Sequence, residues 1–145
     1  MKSVHNFFID KDRIRTIDTM RVIYLLMSLF FFATTEIGRY IYRPYIYANH
    51  INDFGIADSI GNLGGILVQI FLGLAIFNSS KIKSIRLMCF FIIGYILYEL
   101  VQAITPKKVF DFKDIYGTLI GGVMAMILFL LIHKVIKQNR IFYKF

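Results

Sequence analysis

Ile115-Tyr116-Gly117-Thr118-Leu119-Ile120-Gly121-Gly122-Val123-Met124-Ala125-Met126-Ile127-Leu128-Phe129-Leu130-Leu131-Ile132 runs without a single charged side chain. The hydrocarbon core of a bilayer is about 30 Å thick and takes about 20 helical residues to cross. This run, extended to 115–135, therefore reads as a helix lying in lipid, and three more apolar runs of the same kind occupy 20–42, 58–77 and 85–105. The fold class that follows is all-α: an integral membrane four-helix bundle, one membrane domain over 1–145. Composition agrees. Of 145 residues, 57% are hydrophobic and 17% aromatic, 18% are charged, and the mean hydropathy is +0.63. An ordinary soluble domain carries about 25% charged residues. Four spans with their loops leave no length for a soluble catalytic domain.

The connections carry the helix breakers. Arg43-Pro44-Tyr45 through Ala57 reads as the first loop, Asn78-Ser79-Ser80-Lys81 as a tight second one, and Thr105-Pro106-Lys107-Lys108 opens the third. Pro44 and Pro106 are the two prolines, and each is expected just past the end of a span, where a helix stops. Four spans place both termini on one side. The terminal side then holds twelve Lys and Arg and three acids, the other side five bases and six acids. The positive-inside rule puts both termini in the cytoplasm. The net charge of +8 is read as topology setting and attraction to anionic membrane lipid rather than to nucleic acid.

A lone cysteine, Cys89, inside Leu87-Met88-Cys89-Phe90-Phe91 excludes an intramolecular disulfide. Met1 to Arg21 lacks the short apolar core and small-residue cleavage site of a secretory signal, so the first apolar run is expected to be retained. His5, His50 and His133 are too dispersed for a metal triad. No His-Glu-x-x-His, Gly-x-Ser-x-Gly or Cys-x-x-Cys motif occurs, and the glycines lack the Lys-Ser/Thr of a phosphate loop. No cofactor is called for. Tyr40, Tyr42, Tyr45 and Tyr47 read as interfacial anchors.

The chemistry gathers at the non-terminal side. The first half reads Glu36-x-x-Arg39, Pro44, Asp58-x-x-Gly61-Asn62 and Gly64-Gly65; the second reads Glu99-x-x-Gln102, Pro106, Asp114-x-x-Gly117 and Gly121-Gly122. This order fits two parallel two-span repeats, and equally helix-end chemistry that recurs by chance. Only Arg21 to Thr35 precede Glu36 in its span and only Ile85 to Tyr98 precede Glu99, too few to cross the core. Both acids are thus expected below the interface, where an unpaired charge costs about 2.5–3.5 kcal/mol and marks a functional site by default. Arg39 can pair with Glu36 at i,i+3. Glu99 has no such cation and needs a partner from another segment, such as Lys113, Arg39 or a ligand. Asp58 and Asp114 stand where N-caps of the even spans are expected. Asp111 adds a carboxylate one turn before Asp114, and together with Glu99 could form an oxygen-rich mouth for a hard cation or an acid/base pair. The glycines after each aspartate are expected to let spans two and four approach closely, and Asn62 to hydrogen-bond across the bundle.

Glu99-x-x-Gln102-x-x-x-Pro106, then Phe110-Asp111-x-x-Asp114 and Gly117-x-x-x-Gly121, resembles the VanZ-like family of small bacterial membrane proteins. The likeness covers about 99–122. Thr118 stands where that family usually has Asn, and Lys107 or Lys108 where it has Arg. The family is associated with low-level resistance to the glycopeptide teicoplanin. The resemblance implies a cell-envelope role in a bacterial inner or plasma membrane.

Two functional classes follow. In the first, an outward polar cavity built by Glu36, Arg39, Asp58, Asn62, Glu99, Gln102, Asp111 and Asp114 binds an amphiphile, lipid headgroup or envelope precursor. In the second, Glu99, Asp111 and Asp114 serve a small intramembrane enzyme or a cation- or proton-coupled transporter. A bundle whose acids only cap helices is the bland alternative.

Overall fold

The structure is a computed structural model that describes residues 18–105 and 111–142, with side chains as far as Ile136. Among these residues there is no strand. Helix α1 (Thr19–Ile37) continues through a π-helical turn (Gly38–Tyr42) into α2 (Arg43–Ala48); α3 (Ile56–Phe77), α4 (Lys81–Ala103) and α5 (Phe112–Phe142) follow. Four segments, Thr19–Ala48, Ile56–Phe77, Lys81–Ala103 and Phe112–Ile136, are long and apolar enough to cross a membrane. The chain thus has the make-up of a multi-pass membrane protein. Leu26, Phe30, Phe32, Phe90, Ile93, Leu97, Val123 and Ile127 are exposed on the outside of the helices, an apolar surface far larger than a soluble monomer presents.

α3 is the central helix, packed most extensively against α5 and α1, with α4 lying more lightly on α3 and α5. Its Ile66, Leu67, Ile70, Phe71 and Leu74 are fully enclosed and meet Tyr24, Leu87, Met88, Ala125 and Phe129. Small residues set the closest approaches. A Cβ on Gly117 would stand 2.8 Å from the Ser59 carbonyl oxygen, and one on Gly121 2.5 Å from that of Leu63. The expected tight contact of spans two and four is therefore backbone against backbone. Gly64 and Gly122 serve other neighbours, Thr35 and Ile92. Inside lipid, polar side chains must find partners within the protein. Ser28 Oγ accordingly donates to the Val68 carbonyl (3.1 Å) and Thr35 Oγ1 to that of Phe31 (2.6 Å). Among the described residues no buried side-chain polar atom lacks a partner.

Three expectations are corrected. Pro44 does not end the first span. The Arg43 N–H reaches back to the Gly38 carbonyl across the wide turn, and this places Pro44 in the first turn of α2, where a missing N–H breaks no bond. The first loop is thereby shortened to 49–55. Asp58 is not the N-cap of its helix. Asp53 caps α3, its Oδ1 accepting from Gly55 N (3.0 Å) and its Oδ2 from Ala57 N (2.6 Å), while Gly55 turns the chain at φ +83°. Asp114 likewise sits inside the first turn of α5, and Asp111 precedes it as the cap, with Oδ1 accepting from Lys113 N (2.9 Å). Pro106 lies outside the described residues.

Two glycine substitutions separate packing from propensity. Gly121→Ala forces a methyl into the Leu63 backbone and should lower stability by about 1–3 kcal/mol. Gly94→Ala meets nothing within 4 Å and should raise it by about 0.5–1 kcal/mol through helix propensity. Reversible unfolding in mixed micelles reads both; equal effects would refute the close contact of α3 and α5.

Candidate functional site

Glu99 lies about 6 Å short of the end of α4, at a rise of about 1.5 Å per residue, and is 2% exposed. Two amides hold it. Asn62 Nδ2, one turn beyond Asp58 on α3, donates to Oε1 at 3.1 Å, and Gln102 Nε2, one turn further along α4, donates to Oε2 at 2.8 Å. The Glu99-x-x-Gln102 spacing thus has a direct physical meaning: side chains at i and i+3 meet on one helix face. The expected bond of Asn62 across the bundle is present. The expected cationic partner is not. Lys113 turns to Asp58 instead, because the contact of α5 with α3 sets the start of one helix beside that of the other.

Asp58 anchors a second cluster. Lys113 Nζ donates to its Oδ2 at 2.6 Å, and the Tyr47 hydroxyl donates to its Oδ1. Tyr47 in turn accepts from Arg43 Nε at 3.0 Å, with the Arg43 guanidinium 5.5 Å over its ring. Asp114 is within electrostatic reach of Arg43, Asp58, Asp111 and Glu99. It therefore lies electrostatically between the two clusters, at one polar end of the described bundle. Six of the expected residues, Asp58, Asn62, Glu99, Gln102, Asp111 and Asp114, share this end of the bundle. Glu36 and Arg39 pair with each other at 3.3 Å, part-exposed, on α1 and its π-helical extension. The like-placed acids of the two halves thus differ, Glu36 in a local ion pair and Glu99 enclosed between amides.

Beside Glu99, a groove of about 430 Å³ runs between α3 and α4, lined by Gly61, Asn62, Gly94, Tyr95 and Tyr98. Gly61 and Gly94 create it by omission, since a Cβ on either would meet no atom within 4 Å. Gly94 and Tyr98 lie on the exposed side, so the groove opens laterally. Asn62 is common to the groove and to the Glu99 contact. The sequence alone marks Tyr47 only as an interfacial anchor and gives no site signal for Tyr95, Tyr98 or Gly94. One signal for Tyr47 was available: a phenol near a helix-start aspartate needs a partner when both leave bulk water.

A carboxyl that accepts only from neutral amides keeps lone pairs for a cationic group or for ligand hydroxyls. Among the described residues no three His, Cys, Asp or Glu side chains group to hold a metal ion. Searches against family models, curated proteins and solved structures return no match to this chain.

The Glu99 contacts have a measurable value. Glu99→Leu leaves the Asn62 and Gln102 amides facing an apolar group and should lower stability by about 1–3 kcal/mol, whereas Lys113→Met, breaking a part-exposed ion pair, should cost less than about 1 kcal/mol. Chemical unfolding in detergent compares them. Reversal of that order would disprove the burial assigned to Glu99.

Proposed function

We propose that this protein is a VanZ-like membrane protein that binds the polar headgroup of an amphiphile in the groove between α3 and α4. Glu99 receives the headgroup, and Asn62 and Gln102 hold the carboxylate in position. One observation carries the reading: an enclosed acid, partnered by amides, is held by Asn62, which also lines a groove that is open sideways. Lateral opening suits a ligand with an acyl tail that stays in the bilayer. The Glu99 carboxyl, partnered by neutral amides, favours a headgroup with ammonium or hydroxyl groups. Tyr95 and Tyr98 offer ring faces and hydroxyls to its polar part.

The finer placement rests on the charge count and the resemblance. With both termini cytoplasmic, the Glu99 end faces the extracytoplasmic boundary of a bacterial inner or plasma membrane, where an envelope precursor or outer-leaflet lipid would reach it. Proton or cation coupling through Glu99, Asp111 and Asp114 has less support. Asp111 is engaged in capping α5, and a metal-holding set is absent among the described residues.

The groove can be filled without touching the acid. Gly94→Leu places a side chain in open space and should reduce the amphiphile that co-purifies from the membrane by at least about tenfold, with thermal stability unchanged or raised. Glu99→Gln should reduce it while leaving the helical content intact. Lipid extraction and mass spectrometry of the purified protein read the result. An unchanged lipid complement in Gly94→Leu would overturn the groove as the binding site.

A further inference from the structure

A cavity at the opposite end of the bundle takes no part in the Glu99 site. It measures about 500 Å³ and sits where the start of α1, the turn from α3 to α4 and the last described side chains of α5 meet. Its charged lining is Lys81, Lys134 and Asp18, with His133 beside them. The aspartate is already engaged: Oδ1 accepts from Arg21 N at 2.9 Å as the cap of α1, and Oδ2 from Asn78 Nδ2 at 3.4 Å. Both lysines line the cavity and are exposed. The positive end of the α4 dipole adds to them, since Ser80 makes no side-chain cap bond there. His133 is held in place, its Nδ1 3.2 Å from the Tyr24 hydroxyl and 3.1 Å from the Phe129 carbonyl oxygen.

The rest of the wall is apolar, from Met20, Leu130 and Ile136. A free anion would satisfy the lysines and leave these side chains against water. A phospholipid satisfies both, with its phosphate between the ammoniums and its first methylenes on the apolar wall. The depth also fits: the cavity borders the starts of the spans at Thr19 and Lys81 and the end of the one at Phe77, and lipid phosphates lie at the ends of membrane-crossing helices. Basic pockets between membrane helices at that level suit anionic headgroups. From this combination we propose that the cavity is a binding site for an anionic phospholipid, held by Lys81 and Lys134. The site is independent of the amphiphile groove.

Native mass spectrometry of the full chain tests it, after incubation in micelles containing either phosphatidylglycerol or phosphatidylcholine. Phosphatidylglycerol should remain bound and phosphatidylcholine should not. The double variant Lys81→Gln, Lys134→Gln should lower the bound fraction at least about tenfold, while Arg86→Gln, which removes a charge from the same helix outside the cavity, should leave it within about twofold. A thermal-shift measurement on the same samples should show phosphatidylglycerol stabilising the native chain more than the double variant. Equal loss in Arg86→Gln would reduce the effect to general surface charge and overturn the site. Displacement of the lipid by equimolar inorganic phosphate would overturn the lipid assignment.

Discussion

The backbones of α3 and α5 touch where Gly117 and Gly121 lie against Ser59 and Leu63, and much of the polar end depends on that contact. It brings the beginnings of the two helices level, so that Lys113 meets Asp58 and Asp114 comes within reach of both Asp58 and Glu99. Larger residues at 117 and 121 would hold the helices apart. Asp58 would lose its ammonium partner, and Asp114 would no longer join the Glu99 pair to the Arg43–Tyr47–Asp58 chain. In lipid, where apolar side chains gain little from burial against one another, such close packing is a main source of helix association.

The two glutamates show how depth and neighbours decide the fate of an acid. Glu36 has a guanidinium one turn away, and the pair stays part-exposed. Such a contact contributes little to stability and can extend toward headgroups. Glu99 has Gln102 in the equivalent place and is enclosed. Amides satisfy its oxygens but supply no counter-charge, whereas Glu36 has the Arg39 guanidinium. This difference assigns the proposed ligand contact to Glu99 alone.

The four spans were legible because their signal is an average over some twenty residues, which no single side chain can upset. Their ends were not. Pro44 was read as a stop, yet a π-helical turn at Gly38–Tyr42 absorbs it, and nothing local in the sequence demands that turn. Asp58 and Asp114 were read as caps because they precede apolar runs, whereas Asp53 and Asp111, three to five residues earlier, supply the capping oxygens. The Asp53-Phe54-Gly55 turn was the available clue, since a glycine two residues after an aspartate suits a positive φ. Asn62 as a cross-bundle donor was legible, because an amide in an apolar helix must find a partner. Which carboxyl it finds depends on how α4 rotates against α3, and that is a tertiary fact. Tyr47 and Lys113 reach Asp58 for the same kind of reason.

The arrangement of α4 connects both proposed sites. It packs more lightly on α3 and α5 than those two helices pack on each other, and it contributes Lys81 at one end and Glu99 at the other. Space beside it is left open by Gly61 and Gly94 near one end, and Asn78 and Ser79 in the turn before it line the cavity at the other. Close-packed interiors leave few voids larger than a water molecule, so cavities of several hundred Å³ beside one helix are a property of its packing. Molecules that fill them add contacts that the protein itself does not supply. Ligands that bind only the folded form stabilise it increasingly as their concentration exceeds the dissociation constant, so occupation of the two proposed sites would make the seating of α4 dependent on the lipids around it.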